Sequence, residues 1–239
     1  MNDQAKANTP DGADFVIQAP PQACVPVKGG GRFPVRRIYC IGSNYAAHAI
    51  EMGHDPDREP PFFFQKNPDN LIGPDEDFPY PPQTSDVHFE VEMVVALSKG
   101  GRGIRVEDAT DHIYGYGVGL DMTRRDLQSV AKEMRRPWEI AKAFEASAPC
   151  SAIVPATEIG HPTEGEVWVK VNGELRQSGD LNQMIWKTPE MISYLSDFFE
   201  LAPGDLIFSG TPSGVGAISR GDTMLAHVDG VGELTVRVV

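Results

Sequence analysis

Glu90 and Glu92 alternate with apolar residues in the segment 90–97 (EVEMVVAL). In a β-strand this spacing places both carboxylates on one face. Because the neighbours predict a buried strand, the two carboxylates would repel each other and lose hydration. A divalent cation relieves both penalties, and oxygen ligands suit Mg²⁺, Mn²⁺ or Ca²⁺. The alternative is an edge strand with a solvated acidic face, and the pair taken alone favours that alternative.

A third carboxylate follows a glycine-rich apolar segment. Asp121 stands where the predicted strand 114–120 (YGYGVGL) ends, shortly before a helix predicted over 126–134. Taken alone, Asp121 is better explained as a helix cap. Together with Glu90 and Glu92, it completes a three-carboxylate site with open positions for water and substrate.

A histidine and a glutamate lie three residues apart in the segment 43–51 (SNYAAHAIE). The alanines predict a short helix over 45–52 that is N-capped by Asn44. On that helix His48 and Glu51 share one face. A carboxylate beside an imidazole orients it and raises its basicity, as in a general base with its orienting group. An ordinary surface contact between the two residues is the alternative.

Two lysines stand among apolar residues: Lys66 follows FFFQ, and Lys142 lies within 140–144 (IAKAF). Each either extends to the surface or faces an anion. The segment 208–216 (FSGTPSGVG) predicts a strand followed by a glycine-rich turn that offers N–H groups and a hydroxyl to an anion. It matches neither a P-loop nor the G-x-S-x-G turn of serine hydrolases.

The elements that must position these residues are mostly strands. A hairpin over 167–177 turning at Asn172-Gly173 and an amphipathic helix over 189–199 are the clearest local patterns. Further strands are predicted over 37–41, 60–66, 90–97, 114–120, 206–208, 223–228 and 233–239. Without regular βαβ alternation, the pattern predicts a β-dominated α+β fold.

Composition narrows the class of protein. The chain has 239 residues, 41% of them hydrophobic, and 21 basic against 34 acidic residues give a net charge of −13. This acidity argues against a nucleic-acid partner, and no apolar run is long enough to cross a bilayer. The first residues predict no secretory leader, and three scattered cysteines predict no disulfide framework. We expect a cytoplasmic protein with a tail and a small strand/turn extension over 1–35 and a catalytic domain over 36–239.

Six segments occur in one order: IGSNYAAHAIEMG, HFEVEM, GLDMTRRDLQ, PWEIAKAF, VNGELRQ and FSGTPSGVG. Together they resemble the fumarylacetoacetate hydrolase family, in its acylpyruvate and fumarylpyruvate hydrolase branch. The resemblance implies a mixed β-roll of the type of that family's C-terminal domain, usually dimeric. One departure is visible, because Ser43 stands where many relatives have arginine, which leaves the acyl group of the substrate open.

The resemblance also implies roles for individual residues. Glu90, Glu92 and Asp121 would hold Mg²⁺ or Mn²⁺, and His48 with Glu51 would activate water. Lys142 would lie near the developing oxyanion. Gln128 and Thr211 would contact the keto-acid end of the substrate, with Lys66 also in the substrate site.

The implied reaction is hydrolysis of the carbon–carbon bond of a 2,4-diketo acid, with fumarylpyruvate giving fumarate and pyruvate in gentisate-type aromatic catabolism as the leading candidate. Oxaloacetate decarboxylation and dienoate isomerisation or decarboxylation are the alternatives, since each passes through an enolate that the same site would stabilise. A binding module without catalytic activity is a third.

Overall fold

A computed structural model describes residues 15–46 and 60–239 of the chain. The strands in these residues are β1 (Cys24–Pro26), β2 (Arg32–Pro34), β3 (Arg37–Gly42), β4 (Phe62–Lys66), β5 (Leu71–Ile72), β6 (Val87–Phe89), β7 (Val91–Leu97), β8 (Ile113–Leu120), β9 (Thr123–Arg124), β10 (Ala148–Pro149), β11 (Val154–Pro155), β12 (Glu166–Val171), β13 (Glu174–Asp180), β14 (Asp205–Phe208), β15 (Gly216–Ile218), β16 (Thr223–Val228) and β17 (Gly232–Arg237). The helices are α1 (Arg125–Glu133), α2 (Glu139–Lys142), α3 (Ala156–Ile159) and α4 (Thr188–Phe198), with 3₁₀ turns at Pro68–Asn70, Val106–His112 and Leu181–Gln183.

The largest sheet has six strands in the order β11-β8-β7-β14-β3-β4. It is mixed, because β14 runs parallel to β3 and antiparallel to β7. Every residue of β7 is buried, as expected for an apolar strand covered on both faces. In the antiparallel pair of β7 with β8, Val91 lies opposite Leu120. The beginning of one strand therefore meets the end of the other.

A second sheet has four antiparallel strands in the order β13-β12-β16-β17. Val167, Val169 and Val171 point into the core, and their neighbours along β12 are partly or fully exposed. The turn between β12 and β13 has φ of 52° at Asn172 and 84° at Gly173. These left-handed angles are those of a type I′ turn, for which Asn-Gly is the preferred pair. The hairpin predicted from the sequence is confirmed.

The β-dominated α+β architecture with mixed sheets is confirmed as well. The predicted helix over 45–52 falls mostly outside the described residues, and the Asn44 side chain bonds elsewhere: it accepts a hydrogen bond from Trp186 N at 2.7 Å and donates one to Ser209 O at 2.8 Å. Val25 and Phe33 of the β1–β2 hairpin are buried in one cluster with residues of the six-stranded sheet. The domain boundary at residue 36 stays a prediction. Within the described ranges, none of the helices has the length and apolarity needed to span a membrane.

Candidate active site

Three carboxylates converge where β7 begins and β8 ends. Glu90 immediately precedes β7, Glu92 is its second residue, and Asp121 directly follows β8. One carboxylate oxygen from each lies within 4.8 Å of the others. The three residues are only 5%, 2% and 1% exposed. The solvated edge strand that the sequence left open is therefore not what forms, because the register of β7 with β8 buries all three acidic groups together.

Three cations surround these carboxylates. Lys142 Nζ lies 2.8 Å from both Glu90 Oε2 and Asp121 Oδ2. Arg125 Nη2 lies 2.5 Å from Glu90 Oε1, and Lys66 Nζ lies 2.8 Å from Asp121 Oδ1. Three negative and three positive side chains make the cluster formally neutral, which is how buried charges are tolerated. A bound dication would make it positive.

Glu92 differs from the other two carboxylates, because it forms no ion pair with any residue that the structure describes. Its Oε2 accepts a hydrogen bond from Gly210 N at 2.8 Å. Burial raises the pKa of Glu92 well above its ordinary value, and the charges of Asp121 and Glu90 raise it further. Gly210 has φ of 91°, and a Cβ there would lie 2.6 Å from Asn44 Cβ, so glycine is needed to present this N–H group.

The donor set fits a divalent cation. The buried Asp121 Oδ1 has the Lys66 ammonium as its ion-pair partner at 2.8 Å. That ammonium also donates hydrogen bonds to the carbonyl oxygens of Met122 and Lys142. Three buried carboxylates, each with an oxygen within 4.8 Å of the others, form the oxygen-rich set that Mg²⁺ and Mn²⁺ prefer, and a cation among them would offset the burial and repulsion that raise the pKa of Glu92.

Lys66 and Lys142 face anions rather than the surface, since each is only 2% exposed. Burial alone lowers the pKa of Lys142, but Asp121 and Glu90 raise it, and the net shift is upward. The two carboxylates therefore favour the charged form of Lys142. Its helix α2 follows the half-buried Trp138, whose carbonyl accepts the Lys142 N–H at 2.9 Å.

Gln128 and Thr211 line a small cavity of about 30 Å³ beside the carboxylates, together with Ser43. Gln128 Oε1 accepts a hydrogen bond from Arg125 Nη1 at 2.5 Å. The Thr211 hydroxyl donates to Val91 O at 2.8 Å and accepts from Gln177 Nε2 at 2.7 Å. The cavity adjoins a larger one of about 690 Å³, and the two share Phe62, Phe64, Trp138 and Lys142.

Two residues that the sequence predicted for the site, and three that it did not, have still to be placed. His48 and Glu51 lie outside the described residues, so their role stays a prediction. Arg125, Gln177 and Lys132 were not singled out from the sequence. Arg125 and Lys132 stand at i−3 and i+4 relative to Gln128, so the predicted helix could have indicated them. Gln177 offers no such signal, because only the fold brings the β12–β13 hairpin to Thr211.

Comparisons with known proteins define the family. The sequence profile described as fumarylacetoacetate (FAA) hydrolase C-terminal matches residues 37–239. The chain therefore belongs to the fumarylacetoacetate hydrolase family, and it is an enzyme of this family of hydrolases acting on carbon–carbon bonds.

Individual relatives show more specific similarities. Fumarylpyruvate hydrolase from Ralstonia sp is 42% identical over 189 residues, which cover 78% of this chain and 98% of that protein. The mitochondrial oxaloacetate decarboxylase of Dictyostelium discoideum is 38% identical, covering 82% and 90%. The crystal structure of fumarylpyruvate hydrolase from Pseudomonas aeruginosa in complex with Mn²⁺ and pyruvate is 52% identical, with a TM-score of 0.93, and the match covers 95% of this chain and 99% of that one.

Proposed function

We propose that this enzyme is a metal-dependent acylpyruvate hydrolase that cleaves fumarylpyruvate to fumarate and pyruvate. The observation that carries the proposal is the convergence of Glu90, Glu92 and Asp121, with Lys142 bonded to two of them. The similarity to two fumarylpyruvate hydrolases, one of them crystallised with Mn²⁺ and pyruvate, supports the same reading. We also infer that the enzyme is a cytoplasmic homodimer that acts in gentisate-type aromatic catabolism.

Glu90, Glu92 and Asp121 would hold the Mg²⁺ or Mn²⁺ ion. When bound, such an ion supplies a Lewis acid that stabilises negative charge on the oxygens of a 2-oxo acid. The side chains around the ion are formally neutral before it binds, so the loaded site would be positive overall. A positive, largely buried site favours an anionic diketo acid over a neutral ketone. Gln128 and Thr211 would then bind the keto-acid end of the substrate.

Water attack at the 4-carbonyl requires a base, and we assign that task to His48. The imidazole would take a proton from the attacking water, and Glu51 would orient the ring and stabilise its charged form. This assignment rests on the sequence pattern and on the family resemblance.

Lys142 is the group we assign to the tetrahedral oxyanion. Because its pKa is raised by Asp121 and Glu90, it stays charged and can donate hydrogen bonds to a developing negative oxygen. Collapse of the adduct breaks the C3–C4 bond, releases the acid and leaves enolpyruvate, which is protonated to pyruvate. Lys66 would keep the Asp121 carboxylate in place through its charge contact.

A spectrophotometric assay tests the proposal directly. Purified enzyme is mixed with fumarylpyruvate or with short acylpyruvates, with Mg²⁺, with Mn²⁺ and with a chelator, while the enol absorbance is followed. We expect metal-dependent loss of absorbance, fastest with fumarylpyruvate, and fumarate plus pyruvate as products. Turnover that survives chelation would refute the metal assignment, and lack of turnover of every acylpyruvate would refute the reaction.

Oxaloacetate decarboxylation is the second candidate, favoured by the 38% identity to the decarboxylase of Dictyostelium discoideum. The same carboxylates and Lys142 would serve it, because its product also forms through an enolate. Product analysis separates the two reactions: hydrolysis yields an acid plus pyruvate, whereas decarboxylation yields CO₂ plus pyruvate. Release of CO₂ from oxaloacetate at a higher kcat/KM than fumarylpyruvate cleavage would favour this second function.

A further inference from the structure

One face of helix α1 forms a polar row that leads away from the carboxylates. Arg125, Gln128 and Lys132 occupy positions i, i+3 and i+7, which lie on one side of a helix. All three line the small cavity at the site. Arg125 bonds Glu90 and Gln128. Lys132 lies one turn beyond Gln128, about 6 Å further along the helix axis. The row thus extends from the carboxylate cluster along one side of the small cavity.

Among the described residues, Lys132 is the cation of this row without an ion-paired carboxylate. Arg125 pairs with Glu90, and Lys142 pairs with Glu90 and Asp121, whereas Lys132 forms no ion pair with a described carboxylate. Its Nζ lies 5.2 Å from the centroid of the Trp138 ring instead. Burial lowers the pKa of Lys132, the charges of Arg125 and Lys142 lower it further, and the charge of Glu90 offsets part of this. Because the net shift disfavours the charged form, a carboxylate placed beside this half-buried ammonium would stabilise it.

The wall beside Lys132 is aromatic. Trp138 contacts Phe62 edge-on with ring centroids 5.6 Å apart, and its ring centroid lies 5.7 Å from that of Phe64. These three rings line the small cavity and the larger one next to it. Flat apolar surfaces suit a planar, conjugated acyl chain, and a cation beside them suits a charged terminus. Lys132 is such a cation in the small cavity, and the exposed Arg136 lines the larger one. An acyl group that is unsaturated and ends in a carboxylate has both features.

We propose that the Lys132 ammonium binds the terminal carboxylate of the substrate's acyl group and makes the site selective for dicarboxylic acylpyruvates. This specificity role rests on the proposed acylpyruvate hydrolase function. It places the keto-acid end at Gln128 and Thr211 and the acyl terminus one helical turn away. Many relatives have an arginine at the position of Ser43, and its absence here would remove one positive charge from the site. In this proposal Lys132 supplies that charge.

The test compares two substrates in variants at position 132. Lys132→Met keeps the length of the stem and its packing on Trp138 but removes the charge, and Lys132→Arg restores the charge. Loss of a charge-assisted hydrogen bond should lower kcat/KM for fumarylpyruvate by about 100-fold. For acetylpyruvate, whose acyl group is uncharged, we expect a change of less than about threefold on the same grounds. Lys132→Arg should recover a large part of the loss.

The chain offers a matched control. Lys170 Nζ lies 4.7 Å from the centroid of the Trp168 ring on β12, so Lys170→Met removes a lysine from a similar aromatic contact outside the cavity. This control should leave both substrates unaffected. An equal loss for fumarylpyruvate and acetylpyruvate in Lys132→Met would make Lys132 a general electrostatic or structural group and overturn the proposal.

Measuring fumarate binding by calorimetry distinguishes a failure of this inference from a failure of the proposed hydrolase function. If the wild-type enzyme turns over no acylpyruvate, the hydrolase function fails, yet fumarate binding to the Mn²⁺-loaded protein still reports on Lys132. We expect Lys132→Met to weaken that binding by about tenfold or more relative to Lys170→Met. Unchanged fumarate affinity, or no fumarate binding by the wild type, overturns the inference.

Discussion

Strands β7 and β12 bury side chains of opposite chemistry. The buried positions of β12 carry Val167, Val169 and Val171, and the first buried side chains around β7 include Glu90 and Glu92. Burying each valine stabilises the fold by roughly 1.5–3 kcal/mol. Burying each carboxylate costs free energy that its partners must offset. The buried valines of β12 therefore stabilise the four-stranded sheet. The carboxylates at the beginning of β7 provide the groups for chemistry and lower the stability of the fold.

The difference between the two sheets also explains where the site lies. The six-stranded sheet places the beginning of β7 beside the end of β8, so its strand termini bring acidic groups from distant parts of the chain together. The four-stranded sheet contributes to the site only through Gln177, which holds the Thr211 hydroxyl. Substitutions in β12 should therefore change stability without changing chemistry, whereas substitutions at the carboxylates should change chemistry above all and stability only through the buried charges that they remove or leave unpaired.

The largest expected effect is that of Asp121→Asn. This change keeps the volume beside Lys66 and Lys142 but removes the charge that both lysines and a divalent ion need. We expect turnover of fumarylpyruvate to fall about a thousandfold or more, with weaker Mn²⁺ binding and an unchanged circular dichroism spectrum. Asp77→Asn, at an exposed aspartate paired with Arg237, is the control and should be neutral. Normal turnover in Asp121→Asn would remove this carboxylate from the site.

His48→Ala should have the next largest effect. Loss of a general base lowers rates by about 100-fold to 10,000-fold, so kcat should fall by that range. Because His48 is assigned to water rather than to the metal, calorimetric affinity for Mn²⁺ should change little. A variant that loses metal binding and activity together would instead make His48 part of the metal site, and near-wild-type turnover would exclude it from the mechanism.

Val169→Ala tests whether β12 contributes to stability without contributing to catalysis. The valine is fully buried in β12, so truncation should lower the free energy of unfolding by about 1–3 kcal/mol. Urea denaturation measures this, and kcat per folded molecule should stay unchanged because Val169 does not line the cavities of the site. Val106→Ala, at a valine that is 45% exposed, is the matched control with little expected loss. A large fall in kcat for Val169→Ala would mean that the two sheets are not separable.

The elements of the fold were largely predictable, because alternating valines, the Asn-Gly turn and the amphipathic helix α4 are local patterns. The carboxylate convergence was predictable in part: the spacing of Glu90 and Glu92 sets a common face, and the position of Asp121 at a strand end made it a candidate third ligand that the family resemblance then supported. The pairing of these carboxylates with Lys66, Lys142 and Arg125 was not predictable. It depends on the register of β7 with β8 and on where α1 and α2 pack, which no local pattern encodes.

The smallest expected effect concerns the pH dependence of stability without metal. Burial, Asp121 and Glu90 raise the pKa of Glu92, so the folded state binds its proton more tightly than the unfolded state does. Such a group costs no stability below its ordinary pKa of 4.5, and the cost grows as pH rises from there to the raised folded pKa. Glu92→Gln removes this cost, so in the presence of a chelator the variant should gain stability over the wild type as pH rises.

Urea denaturation at several pH values between about 4 and 8 measures the gap between the two proteins, over the range in which linkage predicts the change. The Gly210 N–H and the charge of Lys142 stabilise the ionised form but do not cancel the cost of burial and repulsion, so a gap should remain. Glu107→Gln, at an exposed glutamate beside Arg105, should show no such trend. Added Mn²⁺ should reverse the order, since the ion stabilises a protein that retains all three carboxylates more than one that lacks Glu92. If the difference in unfolding free energy between Glu92→Gln and the wild type stayed constant with pH, Glu92 would be buried without electrostatic cost. The contrast between β7 and β12 would then be one of packing alone.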